Sequence, residues 1–310
     1  MPSIVGIGDT DIDILLKVDR LPKHDEKVEA ALLGMFPGGM IGNFLSAAAC
    51  FGADCGAIVA YGDDAFGLRS IDDLRQRGID LSAAICNPDA PTFFTVTHLD
   101  ASGEKAMSLC LTENIMPRLC DIDLSYVRSA RYVHMVGTYP HLNIPIGKEA
   151  KLHGVKLSLD IEPLSERIGE VEKEETLKNA YIVFPNEDGL KSFVGHDDLA
   201  LGAQQMLEKG PEIVVVTRGS KGCSVFTREE VFSVPAFRVP VVDSTGAGDT
   251  FNGVFLACLD KGYCLRDCAW LATAAAALQI QSLGSRDGLH SEGAVRAFLQ
   301  KNGVSLSATI

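Results

Sequence analysis

The sequence lacks the motifs of several common nucleotide and nucleic-acid binding classes. No Gly-x-x-x-x-Gly-Lys-Ser/Thr string occurs, which argues against a P-loop nucleotide site. There is also no stripe of basic residues, since the 310 residues carry 28 lysines and arginines against 41 acidic side chains, a net charge of −13. We therefore expect no nucleic-acid partner, because binding to phosphate backbones needs clustered positive charge.

Long apolar runs are missing as well. Nowhere do about 18 uncharged apolar residues follow one another, the length that a membrane-spanning helix needs. Residues 1–10 contain neither the basic nor the apolar segment of a signal peptide. The sequence therefore predicts no membrane association and a cytoplasmic protein.

The cysteines are scattered, and they form neither a Cys-x-x-Cys pair nor a cluster with histidines. Such a set supports neither structural zinc nor a disulfide framework. We expect free and mostly buried thiols. The nine cysteines lie at positions 50, 55, 86, 110, 120, 223, 258, 264 and 268.

Strand-like and helical patterns alternate through the second half of the chain. This alternation predicts an α/β fold, a doubly wound and mostly parallel sheet flanked by helices, with functional loops after the carboxyl ends of the strands. No linker or internal repeat interrupts the pattern, so we expect residues 1–310 to form a single domain. The predicted strands lie at 132–136, 156–159, 181–184 and 213–217.

Two hairpin patterns interrupt this alternation. Period-two runs at 12–18 and 28–35 flank a polar turn, and similar runs at 92–99 and 105–111 flank a turn at 100–103. Together they predict a small β-sheet, built from insertions at about 13–36 and 92–112.

The stretch 241–255 combines features that indicate chemistry. A valine-rich start from 237, the glycines Gly246 and Gly248, and helical spacing after Thr250 predict a strand end, a sharp turn and a helix start. Backbone N–H groups at such a turn bind anions, helped by the helix dipole. A bound anion would repel Asp249, which favours a role as general base toward a hydroxyl that attacks phosphorus. The alternative is a helix-capping carboxylate.

The wider string, Asp243-Ser-Thr-Gly-Ala-Gly-Asp-Thr, closely resembles the C-terminal signature of the PfkB, or ribokinase-like, carbohydrate kinases. Segments 37–43 and 62–67 resemble the N-terminal signature, so the resemblance spans nearly the whole chain. It implies a ribokinase-like fold and phosphorylation of a hydroxymethyl group on a sugar or sugar derivative, with ATP and Mg²⁺ as cofactors. Asp249 would be the base, and the turn Gly246-Ala247-Gly248 the anion hole.

The resemblance also implies roles for residues outside that turn. The small sheet would be a lid that keeps water from the sugar, and in several members it pairs with a second subunit, so we expect a homodimer. Sugar-binding residues would be Asp13, Gly38, Gly39 and Asn43, and nucleotide-binding residues Asn186, Thr217, Gly219 and Gly222. Asp243 and Gly284 resemble positions that hold a monovalent cation, K⁺, in some members.

Several positions depart from the family pattern. Met40 replaces a polar residue, Glu162 stands where relatives often carry Asn, and Gly189 replaces the glutamate of an Asn-x-x-Glu motif linked to magnesium. Either Glu187 or Asp188 substitutes through a shifted loop, or ATP and water hold the Mg²⁺. A nucleoside kinase of the same family and a catalytically silent sugar- or nucleotide-binding protein are the alternative functions.

Overall fold

The computed structural model describes residues 1–100, 105–163 and 168–307. The strands in these ranges are β1 (Ile4–Gly8), β2 (Asp11–Val18), β3 (Ala30–Gly38), β4 (Cys55–Tyr61), β5 (Ile85–Cys86), β6 (Phe94–Leu99), β7 (Lys105–Cys110), β8 (Tyr132–Val136), β9 (Lys156–Ile161), β10 (Ala180–Pro185), β11 (Ile213–Thr217), β12 (Cys223–Phe226) and β13 (Val231–Val234).

The α-helices of the described ranges connect these strands and close the chain. They are α1 (Met40–Cys50), α2 (Ala65–Gln76), α3 (Leu124–Arg128), α4 (Pro140–Leu152), α5 (Glu170–Asn179), α6 (Glu187–Val194), α7 (Leu199–Lys209), α8 (Ala247–Asp260), α9 (Leu265–Gln279) and α10 (Glu292–Lys301).

The main sheet of the described residues has nine strands in the order β13-β12-β11-β10-β9-β8-β1-β4-β5. Pairing is parallel from β11 to β5, and β12 and β13 continue the sheet as antiparallel edge strands. The strand order changes direction at β1, which lies between β4 and β8. Ligands of such sheets bind beyond the strand ends at this switch point. The predicted doubly wound, mostly parallel α/β sheet is confirmed.

Helices cover both faces of this sheet. On one face α1, α8 and α9 pack around fully buried aromatic residues that include Phe44, Phe184 and Phe255. On the other face α4 to α7 pack around a second apolar cluster that includes Leu142 and Phe193. Because the parallel strands are buried on both sides, their sequences are continuous apolar runs rather than alternating ones.

Helices α1 and α8 lie unusually close together. Gly253 of α8 rests against the backbone of α1, where any side chain would collide with the carbonyl oxygen of Phe44. This close approach brings Asn43 of α1 and Asp249 of α8 into direct contact.

The remaining strands form a four-stranded sheet in the order β3-β2-β6-β7. Two antiparallel hairpins, β2-β3 and β6-β7, are joined by the parallel pair β2-β6. The predicted small sheet is confirmed, while most of the predicted turn at 100–103 lies outside the described residues. That residues 1–310 form a single domain stays a prediction.

The prediction of a strand at 237–242, just before the glycine turn, is wrong. Residues 237–242 form no strand, and Val241 and Val242 are 64% and 58% exposed. Pro235 and Pro240 explain this, because proline has no N–H group for a sheet hydrogen bond. The segment is instead held by the N–H groups of residues 242 and 243, which donate to the carbonyl of Ile280.

The cysteine prediction is confirmed in one respect and wrong in another. All nine thiols are free, but only Cys55, Cys223, Cys258 and Cys268 are buried, while three of the others are exposed. The exposed ones follow from their positions on short or surface elements. In the described parts of the chain, the helices are too short or too polar to cross a bilayer.

Candidate functional site

The turn before α8 presents free backbone donors. Gly246 caps the helix with a φ of 75°, in the left-handed region that favours glycine. Within the described residues, the N–H groups of Gly248 and Asp249 have no protein acceptor. The space beside Gly248 is open. Unpaired donors at a helix N-terminus can bind an anion.

Asp249 lies in the first turn of α8 and is only 9% exposed. Its Oδ2 accepts a hydrogen bond of 2.8 Å from Nδ2 of Asn43. Burial raises the pKa of Asp249 to about 8, the Asn43 hydrogen bond opposes this shift, and the charges of Asp9 and Glu162 add to it. A carboxyl group with such a pKa can both take up and release a proton near neutral pH.

Asn43 is held in one orientation by a buried cation. Its Oδ1 accepts hydrogen bonds from Oγ of Ser285 at 2.9 Å and from Nε of Arg286 at 2.8 Å. Arg286 is 3% exposed, pairs with Asp73 at 2.6 Å through Nη1, and donates through Nη2 to the carbonyl of Gly38. These contacts leave the amide nitrogen of Asn43 facing Asp249.

Carboxylates from β2 and the loop before it gather next to this network. Asp13 is 7% exposed and accepts a hydrogen bond from Oγ1 of Thr95 on β6. Oδ1 of Asp11 is buried and has no partner among the described residues. Burial raises the pKa of both carboxyls. Buried oxygens without donors fit a ligand that brings hydroxyl groups.

Glycines make room for such a ligand. A side chain at Gly38 would collide with the carboxylates of Asp11 and Asp13. Gly39 has a φ of 85° and accepts the N–H of Asn43 at 2.8 Å. The predicted sugar-binding residues therefore meet in one place, and Asn43 connects them to Asp249. They are Asp13, Gly38, Gly39 and Asn43.

A separate and more open cleft of about 1360 Å³ begins on the other side of the turn. It is lined by the loop 217–222, by Asn186, by small residues of α9 such as Ala276 and Ala277, and by Gly248 of the turn. All of the predicted nucleotide residues, Asn186, Thr217, Gly219 and Gly222, line it. Its volume is large enough for a nucleotide.

The structure explains why Gly189 replaces the glutamate of the Asn-x-x-Glu motif. Any side chain at Gly189 would collide with the carbonyl oxygen of Ile161, so α6 packs directly on the end of β9. Glu187 is occupied by ion pairs with Arg218 and Lys221 at 3.3 and 3.1 Å. Asp188 is exposed.

Glu162 faces the cleft as well. It lines the cleft together with Asn186, Glu187 and Asp188. Burial raises the pKa of Glu162, and a hydrogen bond with Asn186 opposes that shift. The amide oxygen of Asn186 caps α6 by accepting the N–H of Gly189 at 2.6 Å, so Asn186 faces Glu162 with its NH2 group. The carboxylate of Glu162 is a ligand type that Mg²⁺ prefers, so Glu162 fits a magnesium–nucleotide complex.

Asp243 and Gly284 are close together, beside the side chain of Lys105. Oδ2 of Asp243 accepts the N–H of Gly284 at 3.1 Å. Its Oδ1 is paired with the ammonium group of Lys105 at 2.5 Å. A unit positive charge from the protein therefore already lies on this carboxylate.

Asp9, Glu162, Lys105 and Arg286 belong to the site without having been predicted as site residues. Asp9 follows directly after β1, and Glu162 after β9, so their positions at strand ends were the available signal. Arg286 and Lys105 reach their partners Asp73 and Asp243 across 213 and 138 residues of sequence, and no local pattern marks such contacts.

Comparisons with known proteins point to one family of kinases. The model of the pfkB family carbohydrate kinases matches residues 1–292. An ATP-dependent ribose-1-phosphate kinase of Halopiger xanaduensis is 30% identical over 83% of this chain and 84% of its own length. A ribokinase of Lactococcus lactis is 26% identical over 99% of this chain and 100% of its own. The solved structure of Arabidopsis thaliana ribokinase complexed with ribose and ATP matches with a TM-score of 0.85 and 26% identity, covering 96% of this chain and 99% of that one.

Proposed function

The chain belongs to the pfkB family of carbohydrate kinases, and on that premise we propose that it transfers a phosphoryl group from ATP to a hydroxymethyl group of a sugar or sugar derivative. The observation that carries the proposal is the contact between Asn43 and Asp249 beside the free N–H groups of Gly248 and Asp249. This contact supports the proposal, because phosphoryl transfer needs a proton acceptor close to an anion site.

Asp249 acts as the general base in this proposal. Its carboxylate takes the proton of the acceptor hydroxyl as that oxygen attacks the phosphorus atom. The pKa of about 8 that burial gives Asp249 suits this task near neutral pH. The turn Gly246-Ala247-Gly248 stabilises the negative charge that develops on the transferred group, because its donors are already oriented toward it.

The acceptor is held by the buried carboxylates of β2. Asp13 accepts hydrogen bonds from substrate hydroxyls, and it is fixed by Thr95 of the neighbouring strand. A substrate without those hydroxyls would leave buried oxygens unpaired, at a cost of about 1–3 kcal/mol each. The four-stranded sheet closes over this site as a lid and excludes water, which would otherwise compete as the acceptor.

ATP occupies the open cleft, with its phosphates directed at the turn before α8. Asn186, Thr217, Gly219 and Gly222 contact the nucleotide, in part through backbone groups. Glu162 holds Mg²⁺ or one of its water ligands, and Asn186 orients Glu162 by a hydrogen bond. Gly189 supplies no carboxylate, and Glu187 is paired with Arg218 and Lys221. When bound, Mg²⁺ neutralises charge on the phosphates.

A substrate panel tests this function. Pentoses, hexoses, ketoses and nucleosides are each incubated with the protein and Mg-ATP, and substrate-dependent ADP release is measured. We expect at least one polyhydroxylated sugar or nucleoside to support turnover. Binding without turnover for every compound would identify the silent binding protein instead. A best substrate that lacks adjacent hydroxyls would contradict the acceptor site.

We also propose that the lid pairs two copies of the chain. The small sheet carries large apolar side chains that are exposed on both of its faces. Met107 and Leu109, 51% and 50% exposed, lie on the face of Thr95 and Asp13, whereas Leu32, 61% exposed, lies on the opposite face. Leu111, just after β7, is 65% exposed. Several exposed large apolar side chains on one small sheet indicate an interface. Light scattering should show a dimer that Leu109→Glu converts to a monomer, whereas Leu201→Glu on α7 leaves it intact. A wild-type monomer would contradict the interface.

A further inference from the structure

The lid contributes a positive charge to the loop that precedes α8. Lys105 is the first residue of β7, and its ammonium group lies 2.5 Å from Oδ1 of Asp243 and 3.2 Å from Oγ1 of Thr245. The side chain of Asp243 is only 2% exposed, whereas that of Lys105 is 36% exposed. Lys105 thus reaches from the four-stranded sheet to the buried carboxylate of Asp243.

Asp243 needs such a cation. Its oxygens accept hydrogen bonds from the N–H and Oγ1 of Thr245 and from the N–H of Gly284. These bonds stabilise the charged form, and although burial raises the pKa of Asp243, the hydrogen bonds from Lys105, Thr245 and Gly284 lower it overall. A buried carboxylate without a counterion is costly. In the described parts of the chain, its ion pair is with Lys105.

The pair lies at the junction of the two loops that build the site. Thr245 leads directly into Gly246, and Gly246 packs against the backbone of Ser285, so close that a side chain there would be 2.9 Å from the Ser285 carbonyl oxygen. Ser285 in turn bonds Asn43. Whatever neutralises Asp243 therefore helps to order both the anion-binding turn and the orientation of Asn43.

A monovalent cation on Asp243 would carry the same unit charge as the lysine. An ion and the ammonium group are alternatives, because two cations on one carboxylate oxygen repel each other. We propose that the ammonium group of Lys105 takes the place of the monovalent cation that Asp243 and Gly284 would otherwise hold. The order of the turn before α8 then depends on the lid and not on potassium.

Salt substitution tests this inference. Sugar phosphorylation by the wild-type protein is measured in KCl and in choline chloride at equal ionic strength, so that screening is unchanged. We expect the two rates to agree within about twofold. Lys105→Met keeps most of the length of the side chain but removes its charge. It should lose about tenfold in choline chloride and regain much of that loss in KCl, as the ion restores stabilisation of the developing anion.

A second readout does not depend on catalysis. The kinetic measurement rests on the proposed function, whereas thermal unfolding does not, so a protein that phosphorylates no sugar leaves the thermal test intact. KCl should raise the unfolding temperature of Lys105→Met by about 2 °C relative to choline chloride, and should leave the wild type unchanged.

Lys17→Met is the matched control, since Lys17 lies on β2 of the same sheet and is exposed. It should behave as the wild type does in both salts. Lys105→Arg, which keeps the charge, should remain independent of potassium and replaces Lys105→Met as the informative variant if the latter does not fold. Potassium activation or stabilisation of the wild type overturns the inference, as does a Lys105→Met variant that matches Lys17→Met.

Discussion

The acceptor side and the nucleotide side of the site are built in different ways. On the acceptor side, Asp13, Asn43, Asp249 and Arg286 are all buried, and side-chain hydrogen bonds join Asn43 to Asp249 and to Arg286. The nucleotide side is an open cleft whose loop at 217–222 presents glycines and exposed charges. Under the proposed function, recognition of the sugar depends on side chains, and recognition of the nucleotide depends largely on backbone shape.

This difference predicts how strongly each kind of substitution will act. A buried polar network loses several partners when one member is removed. An exposed ion pair loses little, because water and salt already screen it. A backbone-built loop tolerates exchange of its side chains but not of a glycine in a conformation that only glycine adopts easily.

The largest effect should come from the buried cation of the acceptor side. Arg286→Met removes the donors to Asn43 and Gly38 and the ion pair with Asp73, and should lower the free energy of unfolding by about 3 kcal/mol. Arg77→Met, which removes the more exposed partner of the same Asp73, should cost less than about 1 kcal/mol. Urea denaturation measures both. Equal losses would mean that the buried network is not what stabilises this side.

Glycine exchange should show how the nucleotide side differs. Gly222 has a φ of 91° and any side chain there would collide with the carbonyl of Val234, whereas Gly219 has a φ of 50° and open space around it. Gly222→Ala should weaken ATP binding by about thirtyfold or more, equivalent to about 2 kcal/mol, and Gly219→Ala by less than about tenfold. Calorimetric titration with ATP distinguishes them. Similar affinities in the two variants would argue against a backbone-built loop.

Asp13→Ala should separate the two sides kinetically. Loss of a carboxylate that binds hydroxyls should raise KM for the sugar by about tenfold, while KM for ATP stays within about twofold. Asp19→Ala, an exposed carboxylate just after β2, should change neither constant. Steady-state kinetics with each substrate varied gives both values. An unchanged KM for the sugar would place its hydroxyls elsewhere in the cleft.

Stability should also depend on pH through the acceptor side, with a smaller change per pH unit than Arg286→Met causes. The pKa of an unfolded Asp is about 3.9, and burial raises the pKa of Asp249 to about 8. Between these two pH values, the carboxyl group of Asp249 holds a proton in the folded protein that the unfolded chain has released. The free energy of unfolding should therefore fall as pH rises, by up to about 1.4 kcal/mol per pH unit from this group. Asp249→Asn should remove that part of the slope.

Glu187 provides the contrast from the nucleotide side. Burial raises its pKa, but the hydrogen bonds from Lys221 and Arg218 outweigh this and lower it overall. Its contribution is lost only as pH falls below the usual range of a glutamate, so Glu187→Gln should leave the slope between about pH 5 and pH 8 unchanged. Urea unfolding across that range measures all of these slopes. A wild-type slope equal to that of Asp249→Asn would contradict the buried, protonated carboxyl.

The sequence allowed the main sheet, the small sheet and the turn before α8 to be predicted, because each depends on local periodicity or on glycine placement. It failed at 237–242, where valines suggest a strand and the prolines prevent one. The predicted sugar-binding residues Asp13, Gly38, Gly39 and Asn43 could be named because they lie in segments that resemble those of a known family, and the structure brings them close together.

The contacts of Arg286 and Lys105 could not be predicted, because they depend on how distant loops meet once the sheet has formed. The packing reason for Gly189 could not be predicted either. Its lack of a carboxylate is visible in the sequence, but the collision with Ile161 that forbids one is visible only in the packing of α6 on β9.

Asp249 lies where the acceptor side meets the nucleotide side, so its substitution tests the account most directly. The measurement is kcat of Asp249→Asn at saturating sugar and Mg-ATP, with the ATP dissociation constant determined by calorimetry on the same preparation. A general base acts in the transition state, so kcat should fall by at least about 10²-fold while ATP affinity changes by less than about threefold. An unchanged kcat would contradict the assignment of Asp249 as the base.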